Sequence, residues 1–150
     1  MASALLERIQ EDVKAAMRAR DRDRLGVLRQ ITAAIKQREV DERRQLDDSD
    51  VIATLERMRK QRRESIAQFE QAGREDLARK EREEIGIIES YLPEPLGEEE
   101  IADLVEQAIE ETGAASVREM GKVMGLLKLR LQGRADMGQV STLVRQRLSG

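Results

Sequence analysis

Apolar residues along this chain recur three and four positions apart, the period of helices that turn one face inward. Leu5/Leu6, Ile9, Val13 and Met17 form a first stripe, ending at the charged break Asp21-Arg22-Asp23. Leu28, Ile31, Thr32 and Ile35 form a second, which fades in the polar stretch from Asp41 to Asp48. A third begins near Ser49 or Asp50, either of which suits an N-cap, and passes through Val51, Leu55, Met58, Ile66 and Phe69. Gly73 suits the C′ position that closes it. The fourth stripe runs from Glu75 through Leu77, Ile85, Ile88 and Leu92. Opposite charges four apart, as in Glu39/Arg43, Glu56/Lys60 and Glu75/Arg79, add roughly 0.2–0.5 kcal/mol per pair to such helices.

Both prolines fall in Pro93-Glu94-Pro95-Leu96-Gly97, a segment that no helix interior accepts. Beyond it the helical period resumes in three shorter stretches. Ile101, Leu104, Val105, Ala108 and Ile109 define one, over residues 98–112, closed by Gly113. Ser116-Val117-Arg118-Glu119 reads as a capping box for the next, which carries Met120, Val123, Met124, Leu127 and Leu131 and ends at Gly133. Asp136-Met137-Gly138-Gln139 reads as another, opening a helix with Val140, Leu143, Val144 and Leu148. The pattern predicts an all-α protein: a four-helix domain over residues 1–92, a Pro/Gly linker at 93–97 and a small three-helix domain at 98–150.

Composition agrees with helices and narrows the chemistry. Of 150 residues, 38% are charged and 1% aromatic, with no Cys, His or Trp. Ser-His-Asp and Cys-His nucleophile systems, the usual zinc sites and disulfides are excluded. What remains for chemistry is carboxylate, Lys, Arg, Ser, Thr and Tyr91. No metal, cofactor or membrane partner is expected. The apolar runs are too short for a transmembrane span, and Met1-Ala2-Ser3-Ala4-Leu5-Leu6-Glu7 lacks a signal-peptide pattern, so a cytoplasmic location is expected. The net charge of −3 hides a cancellation. Residues 1–92 carry 20 bases and 20 acids, residues 93–112 carry eight acids and no base, and residues 113–150 carry seven bases and two acids.

Three constellations stand out. Arg57, Arg59, Lys60, Arg62 and Arg63 crowd the third helix, and Arg62 falls in the middle of its apolar stripe. Glu81 holds the matching place on the fourth. If these two helices fold back about Gly73, Arg62 lies opposite Ile85, within a turn of Glu81 and Glu84. An ion pair with one or the other is expected, setting helix register more than net stability, with ligand or acid–base work by the glutamates as the alternative. Arg59, Lys60 and Arg63 point away from the stripe, a solvated face or a phosphate contact without aromatics to stack on bases.

The third is Met120-Gly121-Lys122-Val123-Met124-Gly125, where two glycines inside a helix each sacrifice about 1 kcal/mol relative to Ala. They serve either tight packing between helices or close approach of an RNA backbone or partner helix. Lys122, Lys128, Arg130, Arg134, Arg145 and Arg147 share the segment. They suit phosphate contact, or they balance the acidic helix 98–112.

Five motifs, in order and spacing, resemble the GatB/YqeY family: Lys60-Gln61-Arg62-Arg63-Glu64-Ser65-Ile66, Ala72-Gly73-Arg74-Glu75-Asp76-Leu77, Tyr91-Leu92-Pro93, Met120 to Gly125, and Gly133-Arg134-Ala135-Asp136. The match spans nearly the whole chain and is similar to the free-standing YqeY-like kind. Its second half resembles the tail domain of the B subunit of glutamine-dependent aspartyl/glutamyl-tRNA amidotransferase. The resemblance implies the same four-plus-three helical plan. In that amidotransferase the tail domain helps bind the elbow of the misacylated tRNA, while amidation and ammonia release take place elsewhere. Free-standing members are associated with carbon–nitrogen ligases that use glutamine as amido donor. This chain has no evident nucleophile and no evident Ser-Ser-Lys arrangement of the amidase kind. Gly97 stands where Ser is more usual in the family, a somewhat weaker cap.

The leading expectation is a non-catalytic module that engages tRNA or a tRNA-handling protein assembly. Lys122, Lys128, Arg130, Arg134 and Arg145 would touch phosphates and Gly121 and Gly125 would permit close approach. The alternatives are an accessory of glutamine-dependent amide transfer and a protein–protein adaptor, including one that docks a second copy of the chain.

Overall fold

The computed structural model describes residues 3–149. Among them it contains seven α-helices, one short 3₁₀ turn and no strand. Chain contacts divide it into two compact units, Met1–Leu92 and Pro93–Gly150.

The first unit holds α1 (Ala4–Ala19), α2 (Arg22–Glu42), α3 (Asp48–Gln71) and α4 (Glu75–Glu89). Ser3 caps α1, its hydroxyl accepting from Leu6 N at 3.0 Å and donating to the Asp48 carboxylate at the start of α3. Asp48 also accepts from Leu5 N at 3.1 Å, so one side chain ties two helix N-termini. Asp21 caps α2. The cap of α3 is Asp47, whose carboxylate accepts from Asp50 N while Asp50 returns a bond to Asp47 N. The N-cap itself thus lies upstream of Ser49 and Asp50, the two residues the sequence suggested. Asp50 enters the box as the third helical residue.

Ile9, Val27, Leu28, Ile31, Ile35, Leu46, Val51, Leu55, Ile88 and Tyr91 form the core of this unit. Met17 sits at the end of the first stripe but is 52% exposed, and Ala16 takes the inward place beside it. The straight-helix period over-extends the apolar face by one residue there. The fullest packing is between α3 and α4, which fold back about Gly73 at φ +70°. All buried side chains of α3 lie in its first third, Val51, Thr54 and Leu55. Arg82 closes the tip of this hairpin, donating to Glu70 at 2.8 Å and Glu75 at 2.7 Å. Glu75 thereby takes Arg82 rather than Arg79.

The second unit holds α5 (Glu98–Thr112), a 3₁₀ turn (Val117–Glu119), α6 (Met120–Leu131) and α7 (Met137–Ser149) around Val105, Ala108, Val123, Leu127, Leu131, Val140 and Val144. Gly113 and Gly133 close α5 and α6 in the left-handed region. Leu96 packs on this core and its N–H donates to Arg134 O at 2.8 Å, so the Pro93–Gly97 stretch is part of the unit. The Ser116 box is not formed. Ser116 O itself accepts from Glu119 N at 3.0 Å, making a 3₁₀ turn, and Glu119 Oε1 accepts from Ala115 N at 3.1 Å. The backbone carbonyl has taken the donor that the hydroxyl would have needed. Asp136 Oδ1 accepts from Gly138 N at 2.8 Å, one residue short of the expected partner Gln139.

Candidate functional site

Two places collect the residues that the sequence singled out, one in each unit. In the first, Arg62 Nη1 lies 3.1 Å from Glu81 Oε2 and 2.7 Å from Glu84 Oε2. Both glutamates share one guanidinium, and Gln30 of α2 accepts from Nη2. The side chains are 13% exposed for Arg62, 22% for Glu81 and 16% for Glu84. Arg62 therefore joins α2, α3 and α4 at one point. A small cavity of about 280 Å³ opens beside it, lined by Gln30, Met58, Gln61, Ser65 and Glu81, and Arg62 Nε is buried without a partner. Charge here is two carboxylates on one cation, and the Ser65 hydroxyl beside them donates to Gln61 O at 3.2 Å. Among the described residues no group of three or more acids is arranged to hold a metal ion.

A second polar network lies at the α2–α3 corner. Arg44 donates to Asp50 at 2.7 Å and to Glu42 at 2.8 Å, while Arg38 donates to Asp50 O at 2.9 Å and to Thr54 Oγ1 at 3.3 Å. The Arg44 guanidinium holds the Asp50 carboxyl well below the usual range, and Arg38, with Arg44, lowers that of Glu42. At the end of α4, Tyr91 donates to Asp12 Oδ2 at 2.6 Å, accepts from Arg24 at 3.3 Å and has the Arg8 guanidinium 4.9 Å from its ring centre. Burial, with Asp12 adding to it, pushes the phenol up to about 12. Sequence reasoning missed both networks. Their partners lie on different helices, and no local pattern announces that.

In the second unit the predicted cations part company. Arg130 donates to Glu111 at 2.6 Å and Arg147 to Glu106, both on α5. Arg134 Nε donates to Glu94 O at 3.4 Å, beside the Leu96 bond, so it anchors the 94–96 segment. Arg130 and Arg147 thus face the acidic helix, whereas Arg134 holds a backbone carbonyl outside it. Lys122, Lys128 and Arg145 are exposed, and no carboxylate among the described residues pairs with them.

Gly121 and Gly125 do not pack against a neighbouring helix. A Cβ built on either would meet nothing within 4 Å, and both are exposed. At about 100° per residue, Gly125 centres the outward face of α6. Gly121 and Leu129 then lie about 40° to either side of it, and Lys122 and Lys128 about 60° to either side. Val123, Leu127 and Leu131 occupy the opposite, buried face. The result is an open track of bare backbone with a lysine on each flank. Leu129, at the C-terminal end of the track, is 81% exposed. It falls off the apolar stripe of α6, and that signal was present in the sequence.

The chain is similar to known proteins over almost all its length. A relative from Pyrenophora tritici-repentis, called "Altered inheritance of mitochondria protein 41, mitochondrial", is 33% identical over 149 residues, covering 96% of this chain and 81% of the relative. Proteins of the same name from Meyerozyma guilliermondii and Kluyveromyces lactis are each 37% identical, over 89 and 84 residues. Those alignments span 59% and 55% of this chain and 47% and 45% of the relatives, about half their length. These names overturn the cytoplasmic location expected above, since the relatives are mitochondrial. Among the described residues no helix is long and apolar enough to cross a membrane. The family model described as Yqey-like protein matches residues 6–148, and this chain belongs to the YqeY-like family.

Proposed function

We propose that the second unit is an RNA-binding module without catalysis of its own, with tRNA as the RNA toward which the resemblance points. The observation that carries this reading is the open face of α6, where Lys122 and Lys128 flank Gly121 and Gly125. Two interior glycines in open space gain nothing from packing within the chain and cost the helix about 1 kcal/mol each relative to Ala. A backbone without side chains between two unpaired lysines lets a phosphodiester strand lie close to the helix, with the ammonium groups reaching oxygens on both sides. Arg145 on α7 is a further cation without a carboxylate partner among the described residues. Arg130 and Arg134, engaged as described, drop out of the contact set.

Neutralising three phosphates gives a log–log salt slope of about −2 to −3, by counterion release at roughly 0.7–0.9 per contact. Titration of tRNA into the full chain at low salt, followed by fluorescence anisotropy, is the test. The double variant Lys122→Glu with Lys128→Glu is expected to abolish binding. Absence of wild-type binding at low salt, or binding indifferent to that double variant, overturns the reading. Partners that survive nuclease treatment of a lysate and require the same lysines would favour a protein adaptor instead.

A further inference from the structure

We infer that the groove between α2 and α3 docks an extended segment of a partner protein, its main chain against Gln61 and Arg62 and an acidic side chain against Arg57. This site lies in the first unit and does not depend on the RNA reading of the second. A cavity of about 660 Å³ lies between the two helices and meets the 280 Å³ cavity beside Arg62 at Met58 and Gln61. Together they make one open trough. Along α3 it runs from Thr54 to Ser65, about 16 Å at 1.5 Å per residue. An extended chain of about five residues has that length.

The helices are tied at both ends of the wider part. Arg38 of α2 donates to Asp50 O and Thr54 Oγ1 at the corner, and Gln30 of α2 accepts from Arg62 at the other end. Between the ties each helix presents an alanine, Ala34 and Ala53, too short to fill the gap. A small ligand needs a pocket that encloses most of its surface. An open trough of this length suits a chain lying along it.

Its walls supply what a main chain needs. A carboxamide carries the donor and the acceptor of a peptide group. Among the described residues no hydrogen bond uses Gln37 Oε1, Gln30 Nε2 or either end of the Gln61 amide. Exposed glutamines are common and carry no weight alone. Arg62 is the separate observation, since its Nε is buried without a partner in a side chain that lines the trough. A buried N–H needs an acceptor. Glu81 and Glu84 already bring two carboxylates to this guanidinium, so a third anion is repelled and a neutral carbonyl oxygen fits. A peptide carbonyl is such a group.

Charge sets the rest. Arg38 is paired with Glu42 and Arg62 with Glu81, whereas Arg57 is exposed and has no hydrogen-bond or ion-pair partner among the described residues. Its guanidinium is left to take a carboxylate in a bidentate bond. Arg57 lies five residues before Arg62, about 7.5 Å along α3, or about two residues of an extended chain. The acidic side chain therefore stands about two residues from the carbonyl that Arg62 takes. Toward the corner, Asp41 holds only the Gln37 amide, so the segment is neutral or basic at that end.

A phage-displayed library of random heptapeptides, selected on the immobilised full chain, is the probe, and the selected consensus is then made as a synthetic peptide. The consensus is expected to carry an Asp or Glu at one position. In NMR titrations it is expected to shift the side-chain N–H signals of Gln61 and the Nε–H signal of Arg62. Arg57→Glu, an exposed change, is expected to weaken the peptide at least about ten-fold. Ala53→Leu fills the trough and is expected to do the same, with circular dichroism checking that the helices persist. Lys122→Glu with Lys128→Glu is expected to leave peptide binding unchanged, which keeps this site separate from the RNA reading. No enrichment over the bare support, or a consensus without an acidic residue, overturns the inference. Binding that is indifferent to Arg57→Glu, or that leaves the Arg62 Nε–H signal unmoved, does so too. Displacement of the peptide by tRNA whose own affinity falls in Arg57→Glu would give the trough to RNA instead.

Discussion

Arg62 shows how a charged residue in an apolar stripe can be read. Its place among Leu55, Met58, Ile66 and Phe69 demanded a partner from the facing helix, and the fold-back about Gly73 set Glu81 and Glu84 within reach. Gln30 could not be foreseen, because which helix lies across the hairpin is settled by packing. Arg62→Ala leaves two half-buried carboxylates facing each other and is expected to cost about 3 kcal/mol, the lower end for removing one partner of a buried pair. The urea midpoint measures it, and a midpoint equal to wild type removes the account. Asp50 supplies a pH test. Its carboxyl is held low in the folded chain, so it contributes stability above the ordinary Asp value near 4, and that contribution is lost as pH falls through the depressed folded value. Asp50→Asn is therefore expected to be less stable than wild type at pH 7, with the two converging as pH drops below about 4. Urea midpoints from pH 7 down to pH 2 check this. A gap that stays constant over that range would mean that the carboxylate charge is not what stabilises the corner.

At the level of elements, helix positions were legible and their ends less so. Apolar stripes depend on an average over several turns, which survives a local error, whereas a cap depends on one donor and one acceptor. Asp47 rather than Ser49 caps α3, and a 3₁₀ turn replaces the Ser116 box, because neighbouring acceptors compete for the same N–H groups. The α6 glycines were legible as an anomaly, but their surroundings were not. Packing between helices and an open face both put glycine at positions four apart. The open face makes an unusual prediction in which stability and binding move in opposite directions. Gly121→Ala and Gly125→Ala meet no neighbouring atom and relieve the entropy cost of glycine, so each is expected to stabilise the chain by about 0.4–1 kcal/mol. The same changes place methyl groups on the track and are expected to weaken RNA binding. Thermal melts and tRNA titrations on one pair of samples check both signs, and a drop in melting temperature would mean that these glycines are packed after all. Gly73 and Gly113 are a different case, since their positive φ strains any other residue.

At the scale of the whole molecule, each unit has its own apolar core. A fragment of residues 93–150 is expected to melt cooperatively with helical circular dichroism and to retain the RNA affinity and salt slope of the full chain, while residues 1–92 retain neither. A fragment 93–150 without helical signal would show that its small core needs the rest of the chain, as is common at this size. Sequence by itself determined the helical class, the break at the two prolines and the separation of acidic from basic segments, because periodicity, proline and charge count are properties of nearby residues. It also determined that residues 93–150 hold no aromatic ring for stacking. Tertiary structure alone decided which cations are free. Arg130 and Arg147 are taken by α5, Arg134 holds the 94–96 segment, and Lys122 and Lys128 have no carboxylate partner among the described residues. All of them look alike along the chain. What separates them is the direction each side chain leaves its helix and which carboxylate waits there, and both are fixed only when the helices pack.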